Sequence, residues 1–446
     1  MQGKINVPKQ VNMVLKTLEG HGYEAFIVGG CVRDAIMGIE PKDYDVTTSA
    51  LPEETKEVFK DFHVIETGIK HGTVTVMVDK EPIEITTYRI DENYVDNRHP
   101  ENVRFTRNLK EDMARRDFTM NAIAYNPACG LVDYYGGVED IQRGVIRAVG
   151  EADKRFEEDA LRIMRALRFS AVTGFAIEEA TAEAALRHKD FLNNISAERI
   201  QVELVKLLCG KDARRVMMEF TDILAVILPE LLEMKGFDQC NAYHIYDVLE
   251  HTAVAVENTP AEPVLRLSAL LHDTGKPETF FQDCTGVGHF YGHNLASKRI
   301  AEDLLERLKF DNDTKEKVLL LVEKHDMQIK AEETVVKRAL NKLGEENFRN
   351  LIALARADNK AQNPIISKRQ EHFDKLLAIA EEIILKEECF SLKALAVNGR
   401  DLMEIGFKPG PELGKALENL LEAVISGEIE NKKEELLKKA IDFSII

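Results

Sequence analysis

FIVGGCVRDAIMGIEPKDYDVT, residues 26–47, is the stretch that decides both the fold and the chemistry of this chain. An apolar run leads into Gly29-Gly30, a short helical pattern follows, and Asp43 and Asp45 stand on a later β-branched run. Because successive side chains of a strand point to opposite faces, these two aspartates are predicted to share one face of a strand. Two carboxylates held so close repel each other unless a cation neutralises them.

The spacing of these residues predicts a metal-dependent nucleotidyl-transfer site. Mg²⁺ binds through one or two carboxylates together with phosphate oxygens, which makes Asp43 and Asp45 the predicted magnesium ligands. The glycine turn offers backbone N–H groups and the positive end of a helix to those phosphates. A turn followed by a solvated pair of aspartates is the alternative interpretation of the same residues.

The pattern GGxxRD followed by DxD resembles the opening motif of the polymerase-β-like nucleotidyltransferases. Here the motif consists of Gly29-Gly30, Arg33-Asp34 and the aspartate pair. Within that family the spacing is similar to the class II group, which contains the CCA-adding enzymes and the bacterial poly(A) polymerases. The resemblance implies a nucleotidyltransferase head at the start of the chain.

Composition is compatible with this interpretation. The chain has 446 residues, too many for one hydrophobic core, and its 44% hydrophobic and 30% charged residues are typical of a globular protein. No stretch approaches the roughly 18 apolar residues of a membrane span, and the N-terminal residues hold no apolar signal core. A cytoplasmic protein is therefore expected. Six scattered cysteines without a CxxC pair predict reduced thiols, not disulfides or a zinc knuckle.

The formal net charge of −18 argues against a protein that coats nucleic acid indiscriminately. Basic residues nevertheless cluster in three segments: Arg104, Arg107, Lys110, Arg115 and Arg116; Arg143, Arg147, Lys154 and Arg155; and Arg162, Arg165 and Arg168. A local basic cleft on an acidic body would bind RNA at one defined place. For the first two clusters, a solvated surface with ion pairs remains the alternative.

Strand signals are confined to the first part of the chain. A helix is predicted over 9–19, and the segment 90–103 is predicted to be a loop because it is polar and contains a proline. From about residue 146 onward helical periodicity takes over. Strands are predicted over 23–28, 43–48, 73–78 and 82–89.

The strand predicted over 82–89 carries a third candidate carboxylate. Alternation places Glu84 on the face opposite to Ile83 and Ile85. Glu84 is a candidate for the carboxylate that activates the attacking hydroxyl. An exposed strand residue without a catalytic role is the alternative.

The string RRDFTMNAIAY, residues 115–125, carries a second group of polar side chains. Arg116 offers a fork of donors suited to a triphosphate, Asp117 can accept from a ribose hydroxyl, and Asn121 is expected to hold the turn around them. A helix capped by Asp117 with solvated arginines is the alternative. The string resembles the second class II motif, RRDxxxNA, in the expected order after the first.

The string FEEDALRIMRALRFSA, residues 156–171, is predicted to be one continuous helix. Its apolar stripe consists of Ala160, Ile163, Met164, Leu167 and Ala171. Asp159 and Arg162 lie off that stripe, about 60° apart around the predicted axis, with Arg165 beyond them and Arg168 nearly opposite Asp159.

The pair Asp159 and Arg162 allows two interpretations. It is either a helix salt bridge worth a few tenths of a kcal/mol or a reader of base edges. As a reader, the aspartate accepts from the amino group of cytosine or adenine, and the arginine donates to cytosine N3/O2 or adenine N1. Uracil and guanine present the opposite polarity there. The segment resembles the class II EDxxRxxR motif, which implies base selection without a template. ISAERIQVEL, 195–204, resembles the helix-stabilising ERIxxEL motif and is expected to be structural.

Histidine and aspartate residues dominate the second half of the chain. A lone histidine is more often a surface or satisfied core residue, but HDxGK after an apolar helix is more specific. Imidazole and carboxylate ligands spread over helices suit a divalent transition metal that activates water. The order resembles an HD phosphohydrolase domain, which implies Ni²⁺, Mn²⁺ or Co²⁺ on His251, His272, Asp273 and Asp358, with His293 and His325 as extra ligands or phosphate contacts.

Taken together, the resemblances imply an α+β protein: a polymerase-β-like nucleotidyltransferase head with a mixed sheet, then an all-helical neck, an HD body and a tail. The implied domains are the head over 1–145, a neck for base selection and RNA binding over 146–235, an HD domain over 236–375 and a helical tail over 376–446. The implied catalytic set is Asp43, Asp45 and Glu84, with Mg²⁺ on the two aspartates. The implied nucleotide-binding set is Gly29, Gly30, Arg33, Arg116, Asp117, Asn121, Asp159, Arg162, Arg165 and Arg168.

The function implied by the resemblance is addition of C, C and A to tRNA 3′ ends from CTP and ATP, with release of pyrophosphate. The expected partners are the tRNA 3′ end and the two nucleotides, with neither DNA nor a membrane. A poly(A) polymerase shares the head motifs, but TGIKHGTVTV, residues 67–76, resembles the CCA-adding pattern. An enzyme that adds only A or only the two C residues, and a non-catalytic RNA-binding module, are the further alternatives.

Overall fold

The computed structural model describes residues 5–69, 72–94, 100–364 and 369–444. The chain divides into two compact units. The first comprises Met1–Leu232 with Arg307–Lys309, and the second comprises Glu233–Glu306 with Phe310–Ile446. Among the helices of the described residues, none is long and apolar enough to cross a membrane.

A seven-stranded mixed sheet forms the centre of the first unit. Its strands are β1 (Ala25–Val28), β2 (Asp45–Thr48), β3 (His63–Ile65), β4 (Thr73–Val78), β5 (Glu81–Thr87), β8 (Ile123–Asn126) and β9 (Gly130–Asp133). Their spatial order is β3-β4-β5-β2-β1-β8-β9. β2 and β5 run parallel, whereas β1 pairs antiparallel with β2 and β8. The predicted mixed sheet is therefore present.

Apolar periodicity explains how this sheet is covered. β4 alternates buried and half-buried positions, so that Val74, Val76 and Val78 face the core. The first helix packs against the sheet through Leu15 and Leu18, which join the same core cluster. The helices of this part are α1 (Lys9–Gly20), α2 (Gly30–Ile36), α3 (Pro52–Val58), α4 (Leu109–Ala114) and α5 (Gly137–Arg143).

The predicted strand over 43–48 begins two residues later than expected. Asp43 precedes β2, which starts at Asp45, so the two aspartates are not alternate residues of one strand. The pairing of β1 with β2 ends where Val28 faces Asp45. The next residue, Gly29, has a φ of +75° and turns the chain away, which leaves Asp43 without a strand partner.

The predicted loop over 90–103 is wrong. β6 (Arg89–Tyr94) and β7 (Pro100–Phe105) form an antiparallel pair, in which Ile90 faces Arg104. Residues 95–99 lie outside the described residues. Polar composition concealed these strands, and two of the charged residues of β6, Arg89 and Asp91, form an ion pair at 3.1 Å.

The predicted single helix over 156–171 is also wrong, because α6 (Ala152–Glu158) ends before α7 (Leu161–Thr173) begins. Asp159 between them is extended, with φ −142° and ψ 102°. Its Oδ1 accepts a hydrogen bond from the backbone N–H of Leu161 at 3.1 Å. Such a local bond competes with helix continuation at aspartate. The predicted apolar stripe is nevertheless buried.

The rest of the first unit is mainly helical. α8 begins at an N-cap glutamate, Glu178, whose side chain accepts from the backbone N–H of Thr181. The elements are β10 (Val145–Ile146), β11 (Ala176–Ile177), α8 (Glu179–Arg187), α9 (Ala197–Leu208), α10 (Ala213–Glu219), α11 (Thr221–Leu224) and α12 (Glu230–Met234), which contains the boundary between the units.

The second unit is built from helices and one short antiparallel strand pair. Side-chain caps begin three of the helices, with Asp247 accepting from the Glu250 N–H, Asp311 from the Thr314 N–H and Asn398 from the Arg400 N–H. The elements are α13 (Val248–Asn258), α14 (Pro263–Leu271), α15 (Lys276–Thr279), β12 (Phe281–Gln282), β13 (Gly288–His289), α16 (His293–Arg307), α17 (Asn312–Lys324), α18 (Glu333–Leu343), α19 (Glu345–Ala361), α20 (Arg369–Leu385), α21 (Gly399–Glu404), α22 (Pro411–Ile425) and α23 (Lys433–Ser444).

Candidate active site

The turn between β1 and α2 brings an arginine against a glycine. A Cβ atom added at Gly29 would lie 3.1 Å from Nη1 of Arg116, closer than an ordinary contact. The positive φ of Gly29 already disfavours any other residue. Glycine at this position therefore permits both the turn and the approach of the guanidinium.

Three exposed carboxylates lie near this turn. Asp45 opens β2 and stands opposite Glu84 in the parallel register of β2 and β5, and Asp43 precedes it by two residues. Although the Asp45 side chain is exposed, displacement of water by the surrounding protein raises its pKa. Arg116 opposes this shift and Asp43 adds to it. Among the described residues these three do not gather within the 4.8 Å that defines a group of metal ligands, unlike residues of the second unit.

The guanidinium of Arg116 has donors that its neighbours do not fully use. Its Nη1 donates to the backbone oxygen of Asn121 at 3.4 Å, and its Nη2 lies 3.5 Å from Oδ2 of Asp112. Its buried Nε has no hydrogen-bond partner among the described residues. Burial lowers the pKa of Arg116 and the Asp112 charge opposes that shift. The guanidinium thus has donors available for an anion at the glycine turn.

Asp117 is held by four donors. Its Oδ1 accepts from the Phe118 N–H at 2.8 Å and from Nδ2 of Asn121 at 3.0 Å. Its Oδ2 accepts from Nε and Nη2 of Arg165 at 2.8 and 2.5 Å. Burial opposes ionisation, but Arg165 and these hydrogen bonds lower the pKa of Asp117 to about 2. The carboxylate is ionised and fixed, and the 3₁₀ helix Thr119–Asn121 that follows begins after Phe118.

Asn121 connects this aspartate to the first motif. Its Oδ1 accepts from Nη1 of Arg33 at 2.8 Å, while Nε and Nη2 of Arg33 donate to Asp34. The Arg33 guanidinium also lies 4.9 Å from the ring centroid of Phe169. Arg33 is therefore held by its neighbours, more tightly than Arg116 is.

Arg165 and Arg168 project from α7 toward a buried glutamate of α9. Nε of Arg168 lies 2.8 Å from Oε2 of Glu203, and Nη1 of Arg165 lies 3.9 Å from its Oε1. The Arg168 guanidinium also stacks over Phe169 at 3.7 Å. The ERIxxEL segment, which was expected to be structural, thus contributes a direct partner to this arginine pair.

Asp159 and Arg162 are not paired with each other, which excludes the alternative interpretation of the two residues as a helix salt bridge. Oδ2 of Asp159 accepts from Nη2 of Arg199 at 2.8 Å. Arg162 is buried, and its Nη1 donates to Oε2 of Glu158 at 2.6 Å. It also donates to the backbone oxygens of Arg115 and Arg155. The break at Asp159 separates the two side chains.

A second constellation lies in the other unit, at the ends and on the faces of three helices. His251 lies in α13, His272-Asp273 follows α14, and Asp358 lies in α19. Nε2 of His251 lies 3.2 Å from Oδ2 of Asp273 and 2.9 Å from Oδ1 of Asp358. Nε2 of His272 lies 3.3 Å from the same Oδ2. Nevertheless, Nε2 of both histidines and Oδ2 of Asp273 are buried without a hydrogen bond of acceptable geometry.

A neighbouring pair of histidines shares Asp273. Nε2 of His293 lies 3.0 Å from Nε2 of His325, and these atoms lie 3.4 and 3.8 Å from Oδ1 of Asp273. His251, His272, Asp273 and Asp358 form one group with ligand atoms within 4.8 Å, and Asp273, His293 and His325 form another. Asp273 therefore directs one oxygen to each group.

The hydrogen bonds of the other ring nitrogens orient all four imidazoles. Each Nδ1 lies within hydrogen-bonding distance of a backbone oxygen, for His251 at 3.3 Å, His272 at 2.7 Å, His293 at 2.8 Å and His325 at 2.7 Å. A carbonyl oxygen only accepts, so each Nδ1 carries a hydrogen and each Nε2 is directed to the shared centre. This arrangement is typical of histidines that bind a metal.

Two carboxylates and one lysine set the charge of this constellation, since Nζ of Lys276 lies 2.6 Å from Oδ2 of Asp273. Burial disfavours a charged imidazole, yet Asp273 and Asp358 raise the pKa of His272 to about 10. Desolvation opposes ionisation of Asp273 and Asp358, but the neighbouring histidines, with Lys276 beside Asp273, lower the pKa of both aspartates well below the usual range. Either a proton on His272 or a metal ion can supply the positive charge. The Nε2 atoms of His251 and His272, which have no hydrogen-bond partner among the described residues, favour a metal ion that binds both at once.

Comparison with protein families assigns three segments of the chain. Residues 25–147 match the poly(A) polymerase head domain. Residues 174–235 match the RNA- and SrmB-binding site of polymerase A. Residues 293–440 match tRNA nucleotidyltransferase domain 2.

Relatives that align over nearly their whole length show which family the chain belongs to. The chain is 37% identical over 424 residues to the CCA-adding enzyme of Lactobacillus delbrueckii subsp. bulgaricus, covering 95% of each chain. It is 35% identical to the CCA-adding enzyme of Lactobacillus helveticus, covering 95% of this chain and 94% of the relative. The chain belongs to the CCA-adding enzyme family.

Solved structures of CCA-adding enzymes share the fold. The Bacillus stearothermophilus CCA-adding enzyme in complex with CTP matches 98% of this chain and 97% of its own, with a TM-score of 0.72 and 29% identity. The Thermotoga maritima CCA-adding enzyme complexed with tRNA matches with a TM-score of 0.61 at 20% identity, which shows the fold alone. The predicted α+β architecture with a mixed sheet is confirmed.

Several residues that surround the site in this member of the CCA-adding enzyme family were missed at the sequence level. Asp112 was one of them, although its spacing of three and four residues before Arg115 and Arg116 on a helix was a usable signal. The partners of Asp159 and Arg162 were missed because both were assumed to lie on one helix. The missed contacts are made by Asp112, Glu158, Phe169, Arg199 and Glu203.

Proposed function

We propose that this chain adds C, C and A to tRNA 3′ ends, using CTP and ATP and releasing pyrophosphate. Its membership of the CCA-adding enzyme family supports this, and one observation carries it to the residue level. Asp45 and Glu84 face each other across parallel strands, beside Asp43 and beside an arginine with donors in reserve. A non-catalytic RNA-binding module needs no such arrangement.

The exposed carboxylates at the edge of β2 fit a divalent cation, because desolvation and, to a smaller extent, the Asp43 charge raise the pKa of Asp45, and a bound cation would favour its ionised form. Asp43 and Asp45 would hold Mg²⁺, which stabilises the charge that develops on the transferring phosphoryl group when it is bound. Glu84 would accept the proton of the attacking 3′-hydroxyl of the RNA. The reaction joins that oxygen to the α-phosphorus and releases pyrophosphate.

The nucleotide would be bound by the residues of the first two motifs. Arg116 would donate to the triphosphate beside the turn formed by Gly29 and Gly30, with Arg33 as a second cation. Asp117 would accept from the ribose hydroxyl in exchange for one of the four donors that bind it in this structure. The local hydrogen bonds of Asn121 keep Asp117 and Arg33 in their relative positions.

Base selection would fall to Asp159 and Arg162 at the break between α6 and α7. Arg199 fixes one oxygen of Asp159 and leaves the carboxylate partly accessible. Arg162 would have to exchange its bond to Glu158 for the base, so that Glu158 competes with cytosine or adenine for the same guanidinium. Arg165 and Arg168 would support the site through Asp117 and Glu203. The neck over 146–235, within which these residues lie, would present the RNA end to the head over 1–145.

One assay separates this function from its alternatives. Transcripts of one tRNA that end before CCA, at CC and at CCA, together with oligo(A), are incubated with labelled CTP alone, ATP alone and both. A CCA-adding enzyme completes the first two transcripts and stops after the final A. A poly(A) polymerase extends oligo(A) repeatedly, an A-only enzyme extends only the CC transcript, and a CC-only enzyme stops at CC. No incorporation in any arm would contradict nucleotidyl transfer.

We infer a second function, metal-dependent phosphoester hydrolysis, for an HD domain over 236–375. The donor set fits a divalent transition metal: the buried Nε2 atoms of His251 and His272 have no hydrogen-bond partner among the described residues and lie beside Asp273 and Asp358. The Nδ1 atom of each imidazole is held by a backbone oxygen. His251, His272, Asp273 and Asp358 would hold the first ion. Asp273, His293 and His325 would hold a second ion or contact the phosphate. Such ions supply a water made nucleophilic at neutral pH when they are bound.

A cavity of about 350 Å³ reaches this constellation and is lined in part by Asp273, Lys276, His293, His325 and Asp358. Its size suits a small ligand. The test screens the purified chain against 2′,3′-cyclic nucleotides and phosphomonoesters with Ni²⁺, Mn²⁺, Co²⁺ or Mg²⁺, alongside elemental analysis of bound metal. If the chain shows no hydrolysis and contains no bound transition metal, this second function is contradicted.

A further inference from the structure

We propose that Asp112 is a positioning residue for nucleotide binding, which holds the guanidinium of Arg116 at the glycine turn. Asp112 lies on α4, contacts no predicted substrate position itself and belongs to none of the sequence motifs described above. Its carboxylate is fully buried. The inference rests on the proposed transferase function and assigns a role to a residue outside its catalytic set.

A buried carboxylate is retained only when its surroundings satisfy it. Oδ1 of Asp112 accepts from Nε of Arg115 at 3.0 Å and from the backbone N–H of Arg89 at 3.2 Å. Oδ2 accepts from Oγ1 of Thr47 at 3.5 Å and lies 3.5 Å from Nη2 of Arg116. Burial opposes ionisation, but the two arginines lower the pKa of Asp112. The carboxylate of Asp112 therefore contacts β2, β6 and both arginines of the RRD motif.

Each carboxylate oxygen of Asp112 contacts a different arginine. Arg115 binds Oδ1 tightly, with Nη2 at 2.8 Å, and is thereby separated from its neighbour. Oδ2 attracts one end of the Arg116 guanidinium. The other end, Nη1, lies at Gly29, where a Cβ atom would come within 3.1 Å. Because a guanidinium is planar, the attraction of Nη2 to the Asp112 charge also directs Nη1 toward Gly29.

Little else restrains Arg116. Its hydrogen bond to the Asn121 backbone is long at 3.4 Å, and its Nε has no partner among the described residues. Without Asp112, two adjacent arginines repel each other in a buried setting, and the guanidinium is free to leave the turn. The expected loss is in nucleotide affinity, not in the chemical step, because the metal-binding carboxylates are untouched.

A double-mutant cycle tests whether Asp112 acts through Arg116. Binding of CTP and of ATP is measured by titration calorimetry with Mg²⁺ and without tRNA, for the parent chain, Asp112→Asn, Arg116→Ala and the double variant. Asp112→Asn should weaken binding about tenfold, because the negative charge that attracts Nη2 of Arg116 is lost. In the Arg116→Ala background the same change should have no further effect. Steady-state assays should show a raised KM with a nearly constant kcat.

Two variants guard against an indirect effect. Glu111→Gln makes the same carboxylate-to-amide change at the neighbouring residue of α4, an exposed side chain that accepts from the Thr106 hydroxyl, and should bind as the parent does. If Asp112→Asn does not fold, Asp112→Glu keeps the charge but displaces it by one methylene and should give the same non-additive loss.

The outcomes are distinct. Unchanged affinity in the folded Asp112 variants, or effects of Asp112 and Arg116 that add, would overturn the role assigned to Asp112 while leaving CCA addition by the parent chain intact. A parent chain that neither binds nucleotides nor extends tRNA would overturn the proposed function together with this inference. A loss of thermal stability without a change in affinity would reduce Asp112 to a structural residue.

Discussion

Asp45 and Glu84 occupy the same register position of two neighbouring parallel strands, β2 and β5. In-register residues of parallel strands point to the same face and lie on backbones about 4.8 Å apart. Both side chains are exposed, although the residues that follow them, Val46 and Ile85, are buried. The sheet therefore brings the two carboxylates together on a face that substrate can reach.

This register makes Glu84 testable as the residue that activates the attacking hydroxyl. Glu84→Gln removes the base but keeps the shape, so kcat for C addition should fall at least about 100-fold with little change in KM. The matched control is Glu81→Gln, an exposed glutamate of the same strand whose side chain points to the other face. Equal kcat values for Glu84→Gln and the parent chain would show that Glu84 is only an exposed strand residue.

Asp43→Ala and Asp45→Ala should each reduce nucleotide addition by at least about 1000-fold, because each change removes a ligand of the charge-stabilising ion. Affinity for tRNA, measured by filter binding, should stay within about twofold of the parent value, since neither exposed residue supports the fold. Asp61→Ala, at another exposed aspartate of the first unit, controls for the general loss of negative charge. Substantial turnover by the Asp43→Ala/Asp45→Ala double variant is the result that contradicts the metal-site assignment.

Base choice should depend on Asp159 and Arg162 even though they do not contact each other. Arg162→Ala should weaken incorporation of both C and A and reduce discrimination against UTP about tenfold or more, since the donor common to both permitted bases is lost. Asp159→Ala should act similarly through the exocyclic amino group. Single-nucleotide incorporation with each of the four triphosphates gives these ratios.

A matched acidic and basic pair in the same part of the chain provides the control for base choice. Asp153 and Arg187 form an exposed ion pair at 2.9 Å. Asp153→Ala and Arg187→Ala should leave the incorporation ratios unchanged. If Arg162→Ala and Asp159→Ala also keep full selectivity for C and A, the two residues merely support the break between α6 and α7.

The sequence predicted elements where a short pattern decides the structure, and failed where a distant or competing contact does. The apolar alternation of 73–78 sufficed for β4, which runs from Thr73 to Val78. The helical periodicity of 156–171 was real, but the local bond from Leu161 to Asp159 interrupted it. Periodicity reports which face is buried and not whether the backbone is continuous.

In the candidate site, too, local patterns were predicted correctly and contacts between distant segments were not. The order of the motifs was sufficient to gather Gly29, Arg116 and Asp117 into one region. The register that pairs Asp45 with Glu84 depends on a parallel pairing between strands separated by other elements, which no local pattern specifies. Asp112 was missed for a related reason: an acidic residue on a short helix resembles a surface residue until its burial is known.

The stability of the fold at acid pH should depend on whether Asp117 is ionised. Its pKa is about 2 in the folded chain against an ordinary 3.8. A lowered folded pKa stabilises the fold above the unfolded pKa, so the contribution of about 2 kcal/mol is complete above about pH 4 and is lost as pH falls toward 2. Urea unfolding followed by circular dichroism should show Asp117→Asn less stable at pH 6, with the difference from the parent shrinking below pH 4. A difference that stays constant from pH 6 to pH 2.5 would mean that Asp117 does not titrate in this window.

The histidine–aspartate constellation of the second unit should be separable from nucleotide addition. His272→Ala with Asp273→Ala removes ligands on which both proposed ion sites depend, so bound transition metal and metal-dependent phosphoester hydrolysis should both disappear. CCA addition with Mg²⁺ should stay within about twofold, because the transferase carboxylates are unchanged. Ni²⁺, Mn²⁺ or Co²⁺ should support hydrolysis better than Mg²⁺, since imidazole ligands favour those ions.

His372→Ala with Asp374→Ala makes the same pair of changes outside the constellation, where His372 donates to the backbone of Ile329, and should keep the metal. Hydrolysis that survives in the His272→Ala/Asp273→Ala variant would place the activity elsewhere, and a parent chain with neither metal nor hydrolysis would leave this unit with a structural role.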